Sequence, residues 1–150
     1  IKGKDKEENI NGPLVKPGKY KVQILVDNKY KIEDEILILK DPNTVITESD
    51  FEKAEELQLK IINKIREAKS IAAEIQTSIS NKKFRKSKYA PLKQKLDMLV
   101  TKEGAYMQPM LIDQMKYLYG MISKADQILG NDAYKRFNDL SLELEKIKKL

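Results

Sequence analysis

The chain has 150 residues, 35% of them charged and 41% hydrophobic, with a formal net charge of +6. That balance is ordinary for a soluble α-rich protein of one domain, or of a small domain plus a fragment. The absence of both cysteine and histidine excludes disulfides, thiolate zinc sites, cysteine nucleophiles and histidine general bases, and no apolar run approaches the roughly 20 residues of a membrane-crossing helix.

Residues 1–12 are polar and read as a flexible leader; no signal peptide is recognisable in them. Pro17-Gly18 suits the centre of a type II turn, since proline presets φ and glycine accepts positive φ. A strand follows, with Tyr20, Val22, Ile24 and Val26 on one face and Lys19, Lys21 and Gln23 on the other. Asp27-Asn28 is the expected two-residue hairpin turn. The return strand carries Tyr30, Ile32, Ile36 and Ile38 on one parity, and Asp34 interrupts that row, so a bulge or break is expected there. A lone hairpin is marginal in water. The reading adopted is that residues 1–43 are a leader plus the end of an Ig-like β-sandwich whose other strands lie elsewhere in a larger protein; packing of the hairpin on the helical part is the alternative.

At Asp41-Pro42 the apolar period changes from two residues to three or four. Residues 44–150 are predicted to form an antiparallel up-and-down four-helix bundle, which makes the fold class mainly α. Thr47 and Asp50 form a capping signal. Phe51, Ala54, Leu57, Ile61, Ile65, Ala68, Ala72, Ile75 and Ile79 then trace one helical stripe. Pro91 is placed in the first turn of a second helix, with Leu92, Leu96, Leu99 and Val100 inward, and Gly104 ends it. Pro109 opens a third helix with Met110, Leu111, Gln114, Tyr117, Leu118, Met121, Ile122 and Ala125 inward. Gly130 closes that helix as its C-terminal cap. Asn131 or Asp132 caps the fourth, which buries Tyr134, Phe137, Leu140, Leu144 and Ile147.

The sequence offers few constellations that carry chemistry. Lys82, Lys83, Arg85, Lys86 and Lys88 fall within seven residues that hold no acid and account for nearly all of the net charge. They are the candidate anion-binding residues, with Phe84 or Tyr89 available to stack on a base; a solvated connection is the blander account and the one preferred, because the rest of the chain is near neutral. Glu52, Glu55, Glu56, Glu67 and Glu74 lie off the apolar stripe and lack the histidine partners of bundle di-metal sites, so no metal or cofactor is expected. Asp126 and Asp132 flank a helix–helix turn and are read as turn-fixing rather than as an acid–base pair. The region of the third helix is rich in methionine and tyrosine. Tyr106, Met107, Met115 and Tyr119 fall outside its predicted central stripe and form the candidate interaction patch; core packing is the competing account and the preferred one.

Two segments together resemble the C-terminal region of bacterial sortilin-like BNR/Asp-box propeller proteins, a family whose members often carry a glycosyl-hydrolase description. One runs from Gly12-Pro13-Leu14-Val15 through Pro17-Gly18-Lys19-Tyr20-Lys21-Val22 to Lys40-Asp41-Pro42. The other is Tyr106-Met107-Gln108-Pro109-Met110-Leu111-Ile112-Asp113-Gln114, followed by Tyr117-Leu118-Tyr119, Ala125-Asp126-Gln127 and Asp132-Ala133-Tyr134-Lys135-Arg136. The chain departs from the family pattern at Ile128-Leu129-Gly130, where a Pro-Gly turn is usual. The resemblance implies a non-catalytic accessory module behind an upstream β-propeller, in contact with that propeller or with another envelope protein. It implies export to the periplasm, the cell surface or the medium. Any glycan or peptide site is expected in the propeller, and no Asp-box motif or tryptophan occurs here. The alternative function is a nucleic-acid or anionic-surface binder using residues 82–88.

Overall fold

The computed structural model describes residues 12–27, 30–81, 86–104, 106–124 and 126–150. It is mainly helical. A two-stranded antiparallel hairpin, β1 (Gly18–Val26) and β2 (Tyr30–Ile38), precedes four helices, α1 (Glu48–Ser80), α2 (Lys86–Leu99), α3 (Leu111–Ile122) and α4 (Asn131–Lys149).

The hairpin ladder runs unbroken from Gly18 opposite Ile38 to Val26 opposite Tyr30. Asp34 therefore sits in register opposite Val22, and the expected bulge is absent: one short acid on an otherwise exposed face clashes with nothing. The register leaves three positions between the strands, one more than expected. Of these only Asp27 is described, in the left-handed region at φ 50°, which aspartate tolerates; the expected turn partner Asn28 lies outside the described residues. Gly18 is already the first residue of β1. Its φ of 159° is far from the roughly +80° that a type II turn requires, so the Pro17-Gly18 turn is not of that type.

Helix α1 begins as the sequence predicts. Thr47 Oγ1 accepts from the Asp50 N–H at 3.3 Å, and the Asp50 carboxylate accepts from the Thr47 N–H at 3.0 Å, a reciprocal capping box. Thr47→Ala is expected to cost about 1 kcal/mol of stability, read from a denaturant midpoint. At 33 residues, α1 is about 50 Å long and is the element against which α2, α3 and α4 all pack. Its predicted stripe is the one buried: Leu57, Ile61, Ile65, Ala68, Ala72 and Ile75 are all in the core. They meet Leu99 of α2, Leu111, Met115, Leu118 and Ile122 of α3, and Leu140, Leu144 and Ile147 of α4 in one continuous cluster.

Several helix boundaries differ from the sequence reading, among them the end of α2 at Leu99 rather than at Gly104. Helix α2 starts at Lys86, so Pro91 stands inside it rather than in its first turn. Helix α3 is capped at its start by Met110, one residue after Pro109, and ends at Ile122, with Ser123 as its C-cap. Gly130 accordingly does not close α3; it is the N-cap of α4, with extended φ and ψ and no side-chain cap. Asn131 and Asp132 are the first helical residues, where an acid also suits the helix dipole. Residue 125, expected on the inner face, lies outside the described residues. Val100 is exposed rather than inward.

A strap before the hairpin ties the β region to the helices. The Leu14 N–H donates to Gln58 Oε1 at 3.2 Å, Tyr119 Oη donates to the Gly12 carbonyl at 2.9 Å, and Lys16 pairs with Glu52 at 2.7 Å. These contacts explain why a glutamine is buried on α1 and why a tyrosine hydroxyl reaches the core edge: each polar tip has a backbone partner. Among the described elements, β1 and β2 pack only on each other.

Candidate contact site

The hairpin has one apolar and one polar face. Directly opposed residues share a face, so Tyr20–Ile36, Val22–Asp34 and Ile24–Ile32, with Val26, form the apolar side. Lys19–Leu37, Lys21–Glu35, Gln23–Glu33 and Leu25–Lys31 form the other. The apolar side is bare: Ile24 is 54% exposed, Ile32 60% and Ile36 45%. Fully burying one such side chain is worth about 1.5–3 kcal/mol, so this face holds a reserve of contact energy that the described residues leave unused. On the polar side Glu33 accepts from Gln23 Nε2 at 2.6 Å and pairs with Lys31 at 2.5 Å. Lys19 and Lys21 have no carboxylate within 4 Å among the described residues.

A second exposed apolar feature lies between α3 and the start of α4. A groove of about 760 Å³ is floored by Leu118, Ile122, Leu129 and Ala133 and flanked by Tyr117, Met121 and Ile128. Its rim is polar. Arg136 donates to Gln114 Oε1 at 2.5 Å, Gln114 Nε2 donates to the Pro109 carbonyl at 2.8 Å, and Gln127 Nε2 donates to the Met121 carbonyl at 2.9 Å. These bonds brace the rim of a groove whose size is that of a small-ligand or side-chain pocket.

Helix α3 is rotated relative to the sequence reading, and this redistributes the candidate patch. Met115 is 1% exposed and Tyr119 8%, both in the core cluster. Tyr117 and Met121, predicted inward, are 71% and 49% exposed and line the groove. Of the four patch candidates only Tyr106 and Met107 are on the surface. They stand in the connection before α3, Tyr106 with positive φ, and neither lines the groove. The structure thus does not bring the four together. Asp113 and Lys116, which pair at 3.3 Å, mark the solvent face of α3. They leave Ile112 and Tyr119 on one flank and Tyr117 and Met121 on the other, equally apolar in sequence. The neighbours on each flank decide between them: Ile112 lies beside Ala72 of α1 and Val100, and Tyr119 donates to the Gly12 carbonyl of the strap.

Lys82, Lys83 and Arg85 lie outside the described residues. Lys86 and Lys88 stand in the first turn of α2, but their side chains are likewise outside the description. Four of the five α1 glutamates singled out in the sequence are engaged at the surface: Glu52 with Lys16, Glu56 with Lys60, Glu67 with Lys64 and Lys148, while Glu74 accepts from Ser70. Asp126 and Asp132 flank the connection into α4, Asp132 at the groove rim.

The Lys64–Glu67–Lys148–Glu145 network joins α1 to α4, with contacts of 2.7–3.3 Å. Hydrogen bonds from Lys148, then Lys64, hold both carboxyls below the ordinary glutamate value of 4.5. A depressed carboxyl stabilises the fold above its unfolded value, and that contribution disappears as pH falls through the folded value. The ammonium groups are raised above 10.5, Lys64 chiefly by Glu67 and Lys148 chiefly by Glu145, so their contribution is complete below that pH and lost above it. Stability is therefore expected to be flat across neutral pH and to fall below about pH 4.5, with a shallower acid limb in Glu67→Gln. Denaturant midpoints from pH 3 to 8 would check this.

No family model, no curated protein and no solved structure matches this chain.

Proposed function

We propose that the chain is a non-catalytic accessory module of an exported β-propeller protein of the sortilin-like BNR kind, acting by packing and protein contact. In this reading residues 18–38 are the closing strand pair of an Ig-like sandwich, the helices form an up-and-down bundle behind it, and the module touches the propeller or another envelope protein. One observation carries the contact role: an amphipathic strand pair whose apolar face is open and whose packing partners, among the described residues, are only each other. Two strands alone are marginal in water, so this face is stable when something covers it. The resemblance supplies the rest of the reading.

Hydrogen exchange tests it. In the isolated chain the amides of β1 and β2 are expected to exchange fast, while those of α1 are slow. In the full-length product of the source reading frame the hairpin amides should be slowed by roughly a hundred-fold or more. Hairpin amides as slow in the isolated chain as in the full-length protein would remove the proposal.

A further inference from the structure

The strap meets the helices at a small seat that stands apart from the core. On the helical side the seat is built at the start of α1. Ile46, just before the Thr47 cap, is 3% exposed and shares a shallow hollow with Phe51, the two positions of a hydrophobic staple across the capping box. Ala54 and Gln58 of α1 and Ile122 of α3 also line it. Of these five residues only Ile122 belongs to the continuous core cluster. From the other side the strap lays Leu14 and Val15 over the hollow and leaves them 52% and 45% exposed. So shallow a cover buries little apolar area. The strap is held chiefly by its three polar contacts, Leu14 with Gln58, Gly12 with Tyr119 and Lys16 with Glu52.

Strap and hairpin are joined as one body. Pro13 and Pro17 restrict the strap backbone, and Tyr20 Oη of β1 donates to the Lys16 carbonyl, tying the strap to the strand that follows. The other end of the hairpin reaches α1 through residues 39–45, where Leu39 and Val45 are exposed. A local turn shapes this connection, the Thr44 N–H donating to the Asp41 carbonyl at 3.1 Å, and Lys40 Nζ donates across it to the Ile46 carbonyl. Among the described elements neither strand packs on a helix, so nothing but the strap and this connection sets the direction of the hairpin.

We propose that residues 12–17 are a clasp, and that strap and hairpin swing together as an arm on the 39–45 connection without unfolding the helices. Closed, the clasp bridges α1 and α3 and holds the arm in one direction. Open, it uncovers the hollow and releases Gln58 and the Tyr119 hydroxyl to water, and the hairpin takes up other directions. Opening is a local event because nearly all of what it breaks lies outside the core. Ile46 and Phe51 stay behind with the start of α1, where the capping box keeps them.

Native-state hydrogen exchange and one pair of spin labels test this on the 150-residue chain. The Leu14 amide, which donates to Gln58, is expected to exchange at least roughly ten-fold faster than the slowest amides of α1. Ile61→Val, a mild core deletion, should speed those α1 amides by roughly two- to ten-fold and leave the Leu14 rate where it was. The chain has no cysteine, so Lys21→Cys in β1 and Asn63→Cys in α1, both exposed positions, give a unique label pair. Its distance distribution should show one dominant narrow peak. In the clasp variant Lys16→Glu, Gln58→Ala, Tyr119→Phe that peak should broaden, while circular dichroism and protected α1 amides report intact helices. A Leu14 amide as slow as the α1 core, or one that quickens in step with it in Ile61→Val, would mean that the strap leaves only on global unfolding. A peak that stays narrow in the clasp variant would mean that other contacts fix the arm. Loss of α1 protection in that variant would make the seat part of the core. Each of these three results overturns the proposal, and none of them depends on what meets the apolar face of the hairpin.

Discussion

Ile61→Ala is expected to destabilise the protein by about 2–5 kcal/mol, the cost of removing three carbons from a side chain that has no room to be replaced. Ile61 is fully buried near the middle of α1 and belongs to the cluster that also takes in α2, α3 and α4. The cavity therefore opens where several elements meet, and collapse of any one onto it would strain the others. Total stability for a domain of this kind is about 5–15 kcal/mol, so the loss is a large share of it. The control is on the same helix: Leu59 is 44% exposed, and Leu59→Ala should change stability by no more than about 0.5 kcal/mol. Urea unfolding of both variants at constant m-value separates them. Equal losses, or a loss below about 1 kcal/mol at Ile61, would mean that α1 is not the axis of the core.

What was readable in the sequence tracks how one-sided each element is. Helix α1 has a single apolar stripe and a capping box, so both its start and its inner face follow from residue spacing. The apolar row of β1 follows from its alternation, while in β2 Asp34 interrupts the row without disturbing the register. The boundaries that differ are those set by backbone geometry rather than by hydrophobicity. Gly130 fits the start of a helix as well as the end of one, and Pro91 is tolerated inside α2, where sequence rules place it at the beginning. The groove was hidden for a different reason. Its flanks are Tyr117, Met121 and Ile128, and nothing in their identity separates an apolar residue that packs from one left at a rim. That distinction depends on which neighbours arrive on each side of α3, a tertiary fact.

The rotation of α3 makes the second large expectation. Met115→Ala should cost about 2–5 kcal/mol, because Met115 is 1% exposed and belongs to the core cluster. Tyr117→Ala, two positions away, should cost less than about 1 kcal/mol, since that ring is 71% exposed at the groove. The stripe drawn from spacing alone puts Tyr117 inside and Met115 outside, and so requires the opposite order. Tyr119→Phe refines the test. It keeps the ring in the core and removes the hydroxyl that donates to the Gly12 carbonyl, an effect of about 0.5–1.5 kcal/mol that should appear together with faster exchange at the strap amides. The three variants report on the two sides of one helix and on the bond that ties it to the strap. A larger loss at Tyr117 than at Met115 would turn α3 about its axis, close the groove, and return Met115 and Tyr119 to the surface.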